Sequence, residues 1–201
     1  MFYAGSLDAL KRAVAVVGTR SPSEAGREAA RRVAALLAAR GCAVVTGMAR
    51  GVDAEAALAA VRAGGVAVGV LPHLLAPEVA GWLSTGRFTA VSLHLFEDRR
   101  ALRQRLAERS RLIAELAHAV VVPEARRRRR WGTIHCVRRA LELGKPVAVL
   151  RPLTRDEDVR SAFEAFVAMG ATPVSTPEEA VDVACRPDKK TAPTRTPPRF
   201  F

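Results

Sequence analysis

The sequence predicts an α/β fold: a doubly wound, mainly parallel sheet between two layers of helices. Three observations carry that expectation. Short valine-rich apolar runs recur along the 201 residues. Within each run the apolar residues are continuous rather than alternating, as a strand buried on both faces requires. The segments between runs place apolar residues at helical spacing, with arginines on the other faces. Strand alternating with helix is the pattern of a Rossmann-like, three-layer αβα domain.

The first strand is read at Ala13-Val14-Ala15-Val16-Val17, ending at Gly18. Ala25, Ala29, Val33, Leu36 and Leu37 then share one helical face, with Arg27, Arg31, Arg32 and Arg40 on the others. Further strands follow at 42–45, 66–70, 89–93, 119–122 and 146–150. The helix expected at about 98–117 carries Leu102, Leu106, Ile113 and Leu116 on one stripe. Arg109 falls into that stripe. It either snorkels to the helix edge or is aimed into a polar cleft. Val159, Phe163, Phe166 and Val167 mark another helix, and a short strand follows near Thr172–Val174. Ser175-Thr176-Pro177-Glu178-Glu179 supplies cap, first-turn proline and acidic first turn for a last helix.

The length fits one domain over 1–185. From Arg186 to 201, four prolines and five basic residues without periodicity read as a basic, Pro-rich flexible tail. No apolar run approaches the roughly 18 residues of a membrane span. The N-terminus lacks a secretory pattern, so a cytoplasmic protein without membrane contact is expected. Cys42, Cys136 and Cys185 have no CxxC spacing, and His73, His94, His118 and His135 are scattered. No metal site, disulfide framework or cofactor is expected.

Charge gives the first functional direction. The chain carries 32 Lys+Arg against 20 Asp+Glu, a formal net charge of +12. All of the basic residues but Lys11, Lys145, Lys189 and Lys190 are arginine. Such a surplus favours polyanionic partners through Coulomb steering and counterion release, although arginine-rich codon usage would inflate charge on any surface. Aromatics are only 5% of the chain, too few for the stacking platforms of sequence-reading RNA folds. A bound strand would be held mainly by its phosphates, with affinity falling steeply with salt.

In parallel sheets, ligands sit beyond the carboxyl ends of the strands, so the turns there hold the candidates. After the first strand, Gly18, Thr19 and Arg20 precede a helix start at Ser21-Pro22-Ser23. Together they can cradle a phosphate with backbone amides, the positive helix end and a bidentate arginine. After the second strand, Thr46-Gly47-Met48-Ala49-Arg50-Gly51-Val52-Asp53 again offers amides at Gly47, Ala49 and Gly51, with Arg50 beside them. This is not GxGxxG, and no acidic residue ends the strand to take a ribose hydroxyl, so a dinucleotide oxidoreductase is disfavoured. Asp53 reads as a helix-start residue. After the strand at 119–122, Pro123-Glu124-Ala125 leads into five arginines, 126–130, then Trp131-Gly132-Thr133. Like charges there repel unless a polyanion neutralises them. Trp131 either stacks a base or anchors the loop. Arg128, Gly132 and Thr133 join the candidates.

These segments, in order and at compatible spacing over about 13–184, resemble the Rossmann-like domain of the DNA-processing protein A family. The resemblance lies in Val14–Ser23, Thr46–Asp53, Arg109-Ser110-Arg111-Leu112-Ile113-Ala114, Val120–Ala125, Gly132-Thr133, Ala140–Val147 and Gly170–Ala180. It implies single-stranded DNA binding along a basic pocket, homodimerisation, and a RecA-type recombinase partner in natural transformation. It assigns phosphate contact to Gly18, Thr19 and Arg20, a Gly-x-Ala-x-Gly-x-Asp turn to Gly47, Ala49, Gly51 and Asp53, and an Arg-Asn-Arg element to Arg109, Ser110 and Arg111. The chain departs from the family where Ser110 replaces asparagine and Ala54–Ala60 lacks the usual histidine. Leu71-Pro72-His73 stands for a Gly-x-Gly turn, and the arginine run replaces a Ser-Gly-Ser/Thr turn. At this length neither the family's N-terminal helical domain nor its C-terminal winged helix is expected.

The wider superfamily includes small-nucleotide binders and the "lonely guy" nucleoside monophosphate phosphoribohydrolases, which supply the alternative reading with a phosphorylated nucleotide as ligand. Those enzymes carry a glutamate three residues after the Gly-Thr pair, where Cys136 stands here. Glycosidic cleavage needs a carboxylate at that point. Glu124 either substitutes or caps a neighbouring helix. No catalytic residue is assigned.

Overall fold

A computed structural model describes residues 1–127 and 132–186. Eight strands form one sheet: β1 (Phe2–Ala4), β2 (Ala13–Val16), β3 (Ala43–Thr46), β4 (Ala67–Leu71), β5 (Phe88–Ser92), β6 (Ala119–Val122), β7 (Val147–Leu150) and β8 (Thr172–Val174). The helices are α1 (Glu24–Ala39), α2 (Val52–Arg62), α3 (Glu78–Leu83), α4 (Leu102–Leu116), α5 (Gly132–Glu142), α6 (Glu157–Ala168) and α7 (Pro177–Ala184), with a 3-10 turn at Leu7–Arg12.

The strand order is β1-β5-β4-β3-β2-β6-β7-β8. All neighbours are parallel except β1, which pairs antiparallel with β5 through Tyr3 and Val91. From β2 the chain winds outward through β3, β4 and β5, then returns to the other side of β2 for β6, β7 and β8. The winding direction reverses between β2 and β6, whose registers pair Ala15 with Val120. A crevice opens at such a reversal beyond the strand ends.

Continuous apolar runs reflect burial on both sides. Val14, Val16 and Val44 pack with Val33 and Leu37 of α1 and Val181 of α7. Their sequence neighbours Ala13, Ala15, Val17 and Val45 face Ile113 of α4, Val137 of α5 and Phe166 of α6. A smaller cluster beneath α3 joins Leu74, Val79 and Phe88, and the Trp82 and Phe88 rings lie 5.2 Å apart. The mainly parallel αβα architecture is the one the runs predict, with strand ends shifted by at most a residue or so.

Three elements differ from the sequence reading. The edge strand β1 and the short helix α3 had no reading at all. The helix expected from about 98 begins at Leu102, because Asp98 Oδ1 accepts from the amides of Arg100 and Ala101 and folds those residues into a turn. The last helix starts as its cap predicts: Thr176 Oγ1 accepts from the Glu179 amide at 3.2 Å, and Glu179 Oε2 accepts from Ser175 at 2.7 Å. The expected tail beyond Arg186 lies outside the described residues.

Candidate nucleic-acid interface

Three turns meet where the winding reverses: β2–α1, β3–α2 and the approach to α5. Two glycines let them come that close. A Cβ on Gly18 would collide with the Glu124 carbonyl and with Val52. Gly51 holds φ +89°, and a Cβ there would meet the Thr19 carbonyl and lie 2.8 Å from Arg20 Cα. The contact is then closed by backbone bonds. The Thr19 amide donates to the Glu124 carbonyl at 2.9 Å, and the Val52 amide donates to the Thr19 carbonyl at 3.1 Å. Met48, at φ 55°, completes the β3–α2 turn in a conformation side chains seldom adopt, its amide held by Thr46 Oγ1 at 3.0 Å.

Asp53 ties the turns together from beneath. It is buried, and its Oδ1 accepts from the Gly18 amide at 3.2 Å while Oδ2 accepts from the Gly47 amide at 3.0 Å. The Ala49 amide also reaches it. Burial pushes its carboxyl up, against the pull of the Arg109 charge and of these amides. Gly51 occupies the N-cap position of α2, with Asp53 inside the first turn. Asp53 thus stands at the helix start, as its sequence position predicts. The expectation that Gly18, Gly47 and Ala49 offer free amides to a phosphate is corrected: Asp53 engages them, because a buried carboxylate needs donors as much as they need an acceptor. Thr19 is buried as well, and its hydroxyl accepts from the Ser21 amide.

Arg109 comes in from α4. Its Nη1 donates to the Gly47 carbonyl at 2.9 Å, and its buried Nε has no partner among the described residues. Burial lowers its pKa, with the Asp53 charge opposing and Arg20 adding to the fall. Of the two readings of this intruding arginine, the structure shows the one aimed into a cleft. Ser110, also buried, turns back to the Leu106 carbonyl. Arg111 lies about 200° round the helix from Arg109. It is exposed and does not line the cleft, a placement at odds with its grouping with Arg109.

The resulting cleft measures about 740 Å³. Arg20, Arg50, Arg109 and Arg126 line it against Asp53 and Asp158, with Gly132 and Thr133 at the start of α5 on the far wall. Thr133 Oγ1 donates to the Gly18 carbonyl at 3.2 Å, which fixes that wall to the first turn. The exposed arginines 20 and 50, the positive end of α5 and the buried guanidinium of Arg109 favour an anion over a cation or a neutral ligand. Among the described residues, no group of three or more His, Cys, Asp or Glu side chains is placed to hold a metal ion.

Of the arginine run, Arg126 and Arg127 are described. Arg126 Nη1 donates to Asp156 at 2.5 Å and its Nε to the Ser21 carbonyl at 3.0 Å. A carboxylate of the chain itself thus pairs with this arginine. The Arg127 amide donates to Asp158 Oδ1 at 3.0 Å. Arg128 to Arg130 and Trp131 lie outside the described residues.

Of two further residues, the sequence left the role of Glu124 open and did not disclose that of Lys145. Glu124, buried at the end of β6, accepts from the Ser23 amide at 2.9 Å and from the Ser23 hydroxyl, and Ser23 in turn caps α1 through the Gly26 amide. Of its two readings, capping is the one realised. Lys145 Nζ donates to the carbonyls of Ala114, Glu115 and Ala117 at 2.6–2.8 Å, closing the last turn of the helix that carries Arg109.

A family model described as DNA recombination-mediator protein A matches residues 1–184. Protein Smf of Escherichia coli (strain K12) is 32% identical over 191 residues, covering 90% of this chain and 50% of Smf. The chain thus spans half the length of that relative. The X-ray structure of DNA processing protein A from Streptococcus pneumoniae superposes with a TM-score of 0.76 at 28% identity, covering 89% of this chain and 64% of that one. DNA processing protein A from Helicobacter pylori, solved for its single-stranded DNA binding mode, gives a TM-score of 0.70 at 20% identity over 90% of this chain and 84% of that one. The last likeness is one of fold.

Proposed function

The chain belongs to the DNA recombination-mediator protein A family, and on that premise we propose that it binds single-stranded DNA by its phosphates in the cleft at the β2–β6 reversal. The observation that carries this reading is the convergence of Arg20, Arg50 and Arg109 with the N-terminal end of α5 on one concave surface. Arg20 and Arg50, both exposed, meet the strand at the rim by ion pairing and counterion release. Arg109, held from behind by the Gly47 carbonyl, offers its remaining donors at the floor. Gly18, Gly47, Ala49 and Gly51 shape the surface, and Gly132 and Thr133 present the helix end. Bases stay outward, so sequence preference is weak. The role that follows is a mediator of recombination or DNA uptake in the cytoplasm, acting as a homodimer with a RecA-type recombinase. Among the described residues no helix is long and apolar enough to cross a membrane.

The test is the Arg20→Ala, Arg50→Ala double variant. Both side chains are exposed, so the fold is expected to persist. Each phosphate contact removed lowers the slope of log affinity against log salt by about 0.7 for a single strand. A slope unchanged from the parent would overturn the assignment of the cleft.

A second reading rests on the size of the cleft, which falls within the range of about 300–1,000 Å³ typical of small-ligand pockets. A mononucleotide would place its phosphate against the same arginines and would raise Tm in proportion to its affinity. Phosphoribohydrolase chemistry is poorly served, since the Glu124 carboxylate is turned to Ser23.

A further inference from the structure

Two of the three cysteines meet at the end of the sheet opposite the cleft. Cys42 immediately precedes β3, and Cys185 is the C-cap of α7. They are 143 positions apart in sequence, yet their Sγ atoms are 3.8 Å apart and both thiols are free. A disulfide needs about 2.05 Å, so the sulfurs have to close by less than two ångströms. Both backbones are anchored close by. The Cys42 amide donates to Leu37 and the Cys185 amide to Val181, each at 2.9 Å.

Access differs across the three thiols in a way that orders the chemistry. Cys185 is partly exposed, Cys42 is 6% exposed behind it, and Cys136 is 1% exposed in the opposite layer. Burial pushes the Cys136 thiol up, which leaves it unreactive. Burial and the neighbouring Cys42 also raise the Cys185 thiol, with the Arg40 guanidinium opposing. What equips the pair is therefore approach and access, not an acidified thiol.

We propose that Cys42 and Cys185 form a thiol-pair modification site that a hydroperoxide converts to an intramolecular disulfide. The Cys185 sulfur attacks the peroxide, the O–O bond breaks, and an alcohol or water leaves with the thiol proton, giving a sulfenic acid. Cys42 then attacks that sulfur, the S–O bond breaks, and water departs carrying the Cys42 proton. Two thiols are oxidised and one peroxide is reduced. The bond ties the end of α7 to the start of β3 and so clasps the last helix to the sheet.

The experiment treats the reduced full chain with hydrogen peroxide, counts thiols after denaturation, and maps the linked peptides. The expected result is a fall from three free thiols to one, with a Cys42–Cys185 peptide and Cys136 still free. A long cross-linked loop is expected to raise Tm by about 5 °C or more, reversed by dithiothreitol and absent in Cys42→Ala. Three remaining thiols, a Cys185 sulfinic acid beside a free Cys42, or a link through Cys136 or a second copy of the chain would each overturn the proposal. Peptide mapping on the unsubstituted protein decides the matter even if the variant fails to fold.

Discussion

The Arg109 guanidinium donates to the Gly47 carbonyl at 2.9 Å. One hydrogen bond thus places a cation from α4 against the turn after β3. Arg109→Ala is expected to weaken binding to a labelled oligo-dT at least tenfold, about 1.4 kcal/mol, and to lower the salt slope. Arg109→Lys restores the charge without the planar fork and recovers only part of the loss. Arg111→Ala, on the exposed face, is expected to change affinity less than threefold. Fluorescence anisotropy with a circular-dichroism check on folding reads all three.

Asp53 holds two turns that the chain brings together from opposite sides of α1. Asp53→Ala leaves buried amides without an acceptor and Arg109 without its countercharge. Urea unfolding is expected to show a loss of about 3 kcal/mol. Asp53→Asn keeps the shape but sets an NH2 group against one of the amides, so an intermediate loss is expected. Equal stability in all three proteins would mean that the turns hold without the carboxylate.

Arg126 lowers the pKa of the Asp156 carboxyl. Its hydrogen bond, followed by the Asp158 amide, holds the Asp156 carboxyl below its ordinary value of 3.8. A carboxyl lowered on folding contributes stability fully above the unfolded value and loses it as pH falls through the folded one. In NMR titration, Asp156 of Arg126→Ala is expected to move back up towards 3.8. No movement would show that the Asp158 amide alone sets the value.

Lys145 is half-buried, and burial lowers its pKa, yet it reaches three carbonyls at the end of α4. Lys145→Met keeps the stem and removes the donors. A loss of about 2–3 kcal/mol in chemical denaturation is expected. Oligonucleotide affinity should be retained below the transition, since Lys145 does not line the cleft.

The parallel strands were legible because burial on both faces leaves an unbroken apolar signature, as in Val120-Val121-Val122. β1 was not: three residues, Phe2-Tyr3-Ala4, with Phe2 and Tyr3 exposed, carry no such run and owe their state to pairing with β5. At the site, an arginine among leucines announced Arg109 from sequence alone. The role of Asp53 could not be read in the same way, since its partner Gly18 is 35 positions away and nothing local marks the contact. Counting charges along 126–130 likewise missed Asp156, a partner supplied by a distant loop. Local spacing reports on faces and caps, whereas the satisfaction of buried polar groups is settled by tertiary meeting.

The cleft is proposed to hold single-stranded DNA by its phosphates. Anisotropy of labelled oligo-dT, titrated across salt with and without a mononucleotide competitor, tests it most directly. Tight binding that weakens steeply with salt and is barely displaced by the mononucleotide is expected. Feeble binding at low salt, or displacement by micromolar mononucleotide, would contradict it and assign the cleft to a small nucleotide.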